Sequence, residues 1–121
     1  MARVLVVDDD DTMLKALVRM VRRIGHDVEG TSSALAALQH VHTSLPDLLI
    51  LDYRLADMDG VTLYCEVLKI LGVNSPPVLF VSGSPIEEIS AKVPPACRAA
   101  FLQKPFEFGE LAREVGALLV A

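Results

Sequence analysis

Tryptophan is absent, and the other aromatics are few: 2 Tyr and 4 Phe in 121 residues. The core must therefore be built from Val, Leu, Ile and Ala rather than from large rings. Cysteine is equally scarce. Cys65 and Cys97 are too few for a disulfide framework or a cysteine zinc site, which is the usage of a reduced, cytoplasmic chain. No apolar run approaches the roughly 18 residues of a membrane-spanning helix. The apolar stretch after Arg3 stops at Asp8, too short for a secretory leader. Internal repeats, low-complexity tracts and linker-like stretches are missing as well. Basic charge is in deficit, with 11 Lys and Arg against 16 Asp and Glu and a formal charge of −5. Without a basic run, neither nucleic acid nor an anionic membrane is an expected partner.

What remains is an ample aliphatic supply. Hydrophobic residues make up 52% of the chain, enough for one folded domain over residues 1–121. Arg3 to Val7, Leu48 to Leu51 and Val78 to Val81 are short runs without polar alternation. Such runs read as strands buried on both faces. His26 to Thr31 is a weaker strand, and Phe101-Leu102 is a brief last one. Between them lie helical patterns. Leu14, Leu17, Val18, Val21 and Ile24 precede Gly25 at a C-cap position, and Ala34, Ala37, Leu38 and Val41 follow a Ser cap at 32 or 33. Val61 to Leu71 follows Asp57-Met-Asp-Gly60, a turn that can cap it, and Phe106 to Val120 closes the chain. Pro85 to Val93 reads as a short helix that Pro94-Pro95 must stop. Strand followed by helix, five times, predicts a doubly wound α/β domain with a five-stranded parallel sheet in three layers.

In such sheets the functional site lies at the carboxyl ends of the strands. Asp8-Asp9 ends the first strand, Asp52 the third, Ser82-Gly83 the fourth and Lys104-Pro105 the fifth. Three carboxylates brought together repel one another, so one takes a proton or a cation joins them. An all-oxygen donor set on a rigid scaffold suits Mg²⁺. Lys104 adds a point charge suited to a phosphoryl group or to Asp52, and Ser82 adds a hydroxyl donor. Metal, cation, hydroxyl and carboxylate nucleophile are the parts of a phosphoryl-transfer site.

The chain resembles the response-regulator receiver domains, the CheY-like group. The resemblance rests on Val4-Leu-Val-Val-Asp-Asp-Asp10, on Pro46 through Gly60, on Pro77-Val-Leu-Phe-Val-Ser-Gly83 and on Phe101-Leu-Gln-Lys-Pro-Phe106. It spans essentially the whole chain. It implies that Asp52 is the phosphoacceptor and that Asp9, Asp52 and the Arg54 backbone carbonyl hold Mg²⁺, with Asp8 acting through water. Ser82 falls at the switch hydroxyl and Phe101 at the rotating aromatic. Lys104 falls at the family's lysine, with a cis peptide to Pro105. Gly83 leaves room for the phosphodonor, and Arg54 and Ser84 match positions that tune dephosphorylation. The implied partner is a sensor histidine kinase or a histidine phosphotransfer protein, with an unknown protein downstream. The tail from Phe101 through Val115 also resembles receivers of hybrid sensor kinases. Ser82 stands where Thr is frequent, Phe101 where Tyr is frequent, and Pro94-Pro95 shortens the fourth helix.

Plainer readings compete for several features. Asp10, Asp11 and Thr12 suit a helix start. Asp57 to Glu66 imitates a calcium loop, but Leu55 stands at its first ligand position. Arg19, Arg22 and Arg23 read as a solvated face, or else as a docking edge for an acidic or phosphohistidine-bearing partner. His26, His40 and His42 lack ligand spacing. Other functions are a flavodoxin-like ligand binder, a degenerate receiver used only for protein contact, and a dehalogenase-like phosphatase. The first needs a phosphate cradle where four aspartates stand. The second requires loss of an acid, the acceptor or the lysine, and none is lost. The third needs an Asp where Arg54 stands.

Overall fold

The structure is a computed structural model that describes residues 1–95 and 97–120. Ala96, in the Pro94–Ala100 segment, and Ala121 lie outside the described residues. Five strands, β1 (Arg3–Val7), β2 (Asp27–Thr31), β3 (Leu48–Asp52), β4 (Val78–Ser82) and β5 (Ala99–Gln103), form one parallel sheet in the order β2-β1-β3-β4-β5. Five helices alternate with them: α1 (Asp11–Ile24), α2 (Ala34–Thr43), α3 (Gly60–Leu71), α4 (Ile86–Ser90) and α5 (Phe108–Leu119). This is the doubly wound arrangement expected from the alternation of patterns.

The apolar strand runs are explained by two cores. Leu5, Val7, Leu49, Leu51, Val78 and Phe80 face one side and pack under α2, α3 and Ile89 of α4. Val4, Val6, Leu48, Ile50, Leu79 and Val81 face the other and pack under Leu17 and Val21 of α1 and Leu111, Val115 and Leu118 of α5. Successive residues thus go to opposite faces, and both faces are covered. At about 25 cal/mol per Å², each fully buried Leu or Ile contributes on the order of 2 kcal/mol.

Helix ends follow local chemistry. Asp10 caps α1, its carboxylate accepting from the Thr12 and Met13 N–H groups, and Gly25 ends it in a left-handed conformation (φ 113°). Ser33 rather than Ser32 caps α2, and Asp59 caps α3. Three elements, α4, β5 and α5, differ most from expectation. Helix α4 stops at Ser90; Lys92 N–H and Val93 N–H then reach back to the Ile89 and Ser90 carbonyls. The chain tightens into three-residue turns because Pro94 disfavours helical backbone before it. Strand β5 is longer than Phe101-Leu102, because Ala99, Ala100 and Gln103 pair with β4. Alanine and glutamine carry little strand preference of their own, so the neighbouring strand sets that length. Phe106 precedes α5 rather than beginning it, and a Glu107–Glu110 capping box starts the helix.

Candidate functional site

The parallel register brings the strand ends to one edge. Asp8 follows β1, and its N–H donates to the carbonyl of Thr31, the last residue of β2 (3.1 Å). Asp52 is the last residue of β3 and Ser82 the last of β4. Lys104 follows β5; its N–H donates to the Ser82 carbonyl (2.8 Å), which carries the ladder one step past the strands. The Lys104–Pro105 peptide is cis, as the resemblance implied.

Carboxylate oxygens of Asp8, Asp9 and Asp52 lie within 4.8 Å of one another. Asp8 is fully buried, Asp52 is 8% exposed and Asp9 faces solvent. Lys104 Nζ sits 3.3 Å from Asp8 Oδ2 and 3.5 Å from Asp52 Oδ1. One ammonium thus faces three carboxylates, leaving a local excess of two negative charges. Asp52 is buried beside that excess, and its pKa rises from 3.8 to about 6. Burial is the largest cause and the Asp8 charge the next, with Asp9 adding to it. Lys104 and the Arg54 backbone N–H, which donates to the Asp52 carboxylate, oppose the rise. A cluster of oxygen donors with surplus negative charge and one solvent-facing member fits a hard divalent cation such as Mg²⁺, which keeps part of its water shell.

Around the acids stands a short hydrogen-bonded chain. Ser82 Oγ accepts the Ser84 N–H (2.9 Å), and Ser84 Oγ accepts from Arg54 Nε (3.1 Å). Ser82 and Ser84 are buried. Its acceptor role leaves the Ser82 hydroxyl hydrogen free to point elsewhere. A Cβ on Gly83 would meet nothing within 4 Å, so this side of the site is open. Phe101 is half-buried and stacks on Phe80 (centroids 5.8 Å, 19° between planes), which in turn meets Tyr64 edge-on. Every residue singled out at the strand ends therefore gathers at one edge. The histidines, Arg19, Arg22 and Arg23 belong elsewhere: His26 Nδ1 accepts the Ala2 N–H, and Arg23 lies over the Phe108 ring.

Two residues of the β3–α3 loop do more than form the turn and cap that their pattern predicts. Gly60 is more than part of a turn. A Cβ there would stand 2.5 Å from the Asp52 carbonyl oxygen, and its N–H donates to the Tyr53 carbonyl (2.7 Å). Only glycine lets the start of α3 approach the Asp52 backbone this closely. Asp57 does not cap the helix that follows; it accepts from Ala34 N–H and Leu35 N–H of α2. The Asp-Gly pair at 59–60 signals the turn, but no local pattern signals a contact with α2.

Comparison with known proteins adds to this geometry. The sequence model of the family described as "Response regulator receiver domain" matches residues 4–116. The response regulator protein TodT of Pseudomonas putida is 37% identical over 116 residues, covering 96% of this chain and 50% of TodT. The chain spans about half the length of the curated relatives it matches. A receiver domain protein (CheY-like) from Methanospirillum hungatei superposes with a TM-score of 0.88 at 25% identity, over 98% of this chain and 94% of that one. TrrA of Thermotoga maritima, solved in complex with Mg²⁺-BeF, shares the fold with a TM-score of 0.83 at 23% identity, over 98% of this chain and 100% of its own.

Proposed function

Because this chain belongs to the response regulator receiver domain family of two-component signalling, we propose that it is a working phosphoacceptor in which Asp52 receives a phosphoryl group with Mg²⁺ present. The convergence of Asp8, Asp9 and Asp52 on Lys104 carries this reading. Asp9, Asp52 and the Arg54 carbonyl would hold the ion, with Asp8 acting through water. Mg²⁺, when bound, supplies positive charge to the acids and to the incoming phosphoryl oxygens.

The chain's own residues do the rest. An Asp52 carboxylate oxygen attacks phosphorus as the bond to the donor's histidine nitrogen breaks, and the imidazole leaves with the electron pair of that bond. Lys104, held beside Asp52, offsets charge on the transferring group. Gly83 leaves the approach open. Ser82 donates its free hydroxyl hydrogen to a phosphoryl oxygen. Phe101 then shifts on Phe80, and these two movements bias a two-state equilibrium. Arg54 and Ser84, bonded to each other, set how readily water reaches the phosphate and ends the signal.

None of the three other functions has a supporting observation. A degenerate receiver lacks a member of the site, and here both acids of the β1 end, the acceptor, the hydroxyl and the lysine are present. The domain is read as one receiver in the cytoplasm that catalyses only its own phosphorylation and dephosphorylation. A sensor histidine kinase or a phosphotransfer protein feeds it, and an unknown protein reads it. Its parent chain is a stand-alone regulator or a hybrid kinase. Incubation with a small acyl-phosphate donor and Mg²⁺, followed by intact-protein mass, tests the core of this. Wild type is expected to gain one phosphoryl group and Asp52→Asn none. Equal gain by both, or none by wild type, would overturn the assignment.

A further inference from the structure

The β3–α3 loop, residues 53–59, is fastened at several points. Its first residue accepts the Gly60 N–H, Arg54 and Asp59 form an isolated antiparallel bridge, and Asp59 caps α3 through Thr62 N–H (2.7 Å). These fastenings are internal to the loop and to α3. Arg54 Nε reaches out to Ser84 on the β4 side. On the opposite side the tie is Asp57, whose two carboxylate oxygens accept from Ala34 N–H and Leu35 N–H, both at 3.3 Å.

Helix α2 has reason to take that carboxylate. Its sequence places no acid in its first turn, and its Ser33 hydroxyl satisfies only the Ala36 N–H. Two orphan donors at its amino end are therefore completed by an acid 22 and 23 residues away in sequence. The pull is mutual: the helix end gains a negative charge, and the loop gains a fixed point. The Arg54 main chain between these ties borders the Asp52 carboxylate, to which its N–H donates.

We propose that Asp57 is a positioning residue for the metal and phosphoryl site, holding the loop that carries the Arg54 main chain against the amino end of α2. This rests on the reading that Asp8, Asp9, Asp52 and the Arg54 carbonyl take Mg²⁺. Asp57 itself touches neither metal nor phosphate.

The test compares Asp57→Ala, Asp57→Asn and Ser33→Ala with wild type by Mg²⁺ titration and by amide hydrogen exchange. Ser33→Ala weakens the same helix end without touching the loop, so it separates positioning from stability. Asp57→Ala is expected to weaken Mg²⁺ affinity about tenfold, as loss of an outer-shell support does. Asp57→Asn keeps an acceptor oxygen and is expected to lose less. Ser33→Ala is expected to bind Mg²⁺ as wild type does. Exchange at the Gly60 N–H should quicken in Asp57→Ala and not in Ser33→Ala. Wild-type affinity in Asp57→Ala, or an equal loss in Ser33→Ala, would overturn the inference alone. A wild type that takes up no Mg²⁺ would refute the metal reading, and the inference with it.

Discussion

Replacing Asp52 with Asn is expected to stabilise the metal-free protein at neutral pH. Burial and the neighbouring Asp8 charge raise the Asp52 pKa from 3.8 to about 6. The folded state then holds this proton more tightly than the unfolded chain. Between those two values the unfolded chain has released the proton while the folded one keeps it. Stability therefore falls as pH rises through that window and levels off above it. About two pH units at about 1.4 kcal/mol each gives a cost of about 3 kcal/mol for the ionised Asp52. Asparagine keeps the shape and the acceptor for the Arg54 N–H without that charge. Urea unfolding in a chelating buffer, at pH values from 4 to 8, measures the gap between the two proteins. The gap should be near zero at pH 4 and approach about 3 kcal/mol in favour of Asp52→Asn at pH 7.5. A gap that does not change with pH, or one that favours wild type at pH 7.5, would refute the reasoning. Adding Mg²⁺ should narrow the gap, since ligand at ten times its Kd stabilises the folded state by about 1.4 kcal/mol.

Further substitutions probe the supports of the site. Gly60→Ala places a Cβ 2.5 Å from the Asp52 carbonyl oxygen, so unfolding free energy should drop by about 2 kcal/mol or more, with slower phosphorylation of Asp52. Unchanged urea midpoints would show that α3 moves aside freely. Arg98 donates through Nη2 to the Leu118 and Val120 carbonyls at 2.7 and 3.0 Å, closing the carboxyl end of α5. Arg98→Ala should cost about 1 kcal/mol in thermal or urea unfolding while phosphorylation proceeds at the wild-type rate. Lost phosphorylation at unchanged stability would mean that Arg98 serves the site instead.

Much of the molecule is legible without coordinates. Val4 to Val7, Leu48 to Leu51 and Val78 to Val81 are apolar at every position, and only a sheet covered on both faces uses such runs. The caps at Asp10, Ser33 and Asp59 are local chemistry, so they stand in the sequence as the residues before each helix. The gathering of Asp8, Asp52, Ser82 and Lys104 follows from strand order, because parallel strands must end at the same edge.

Tertiary structure decided what no window of sequence contains. The length of β5 depends on pairing with β4, the need for Gly60 on the distance to the Asp52 carbonyl, and the partner of Asp57 on where α2 begins. The proton affinity of Asp52 is set by burial and by charges 44 and 52 residues away. Periodicity and capping act over a few residues and are written along the chain. Steric limits, desolvation and Coulomb forces act through space, and they take values only once the chain has folded.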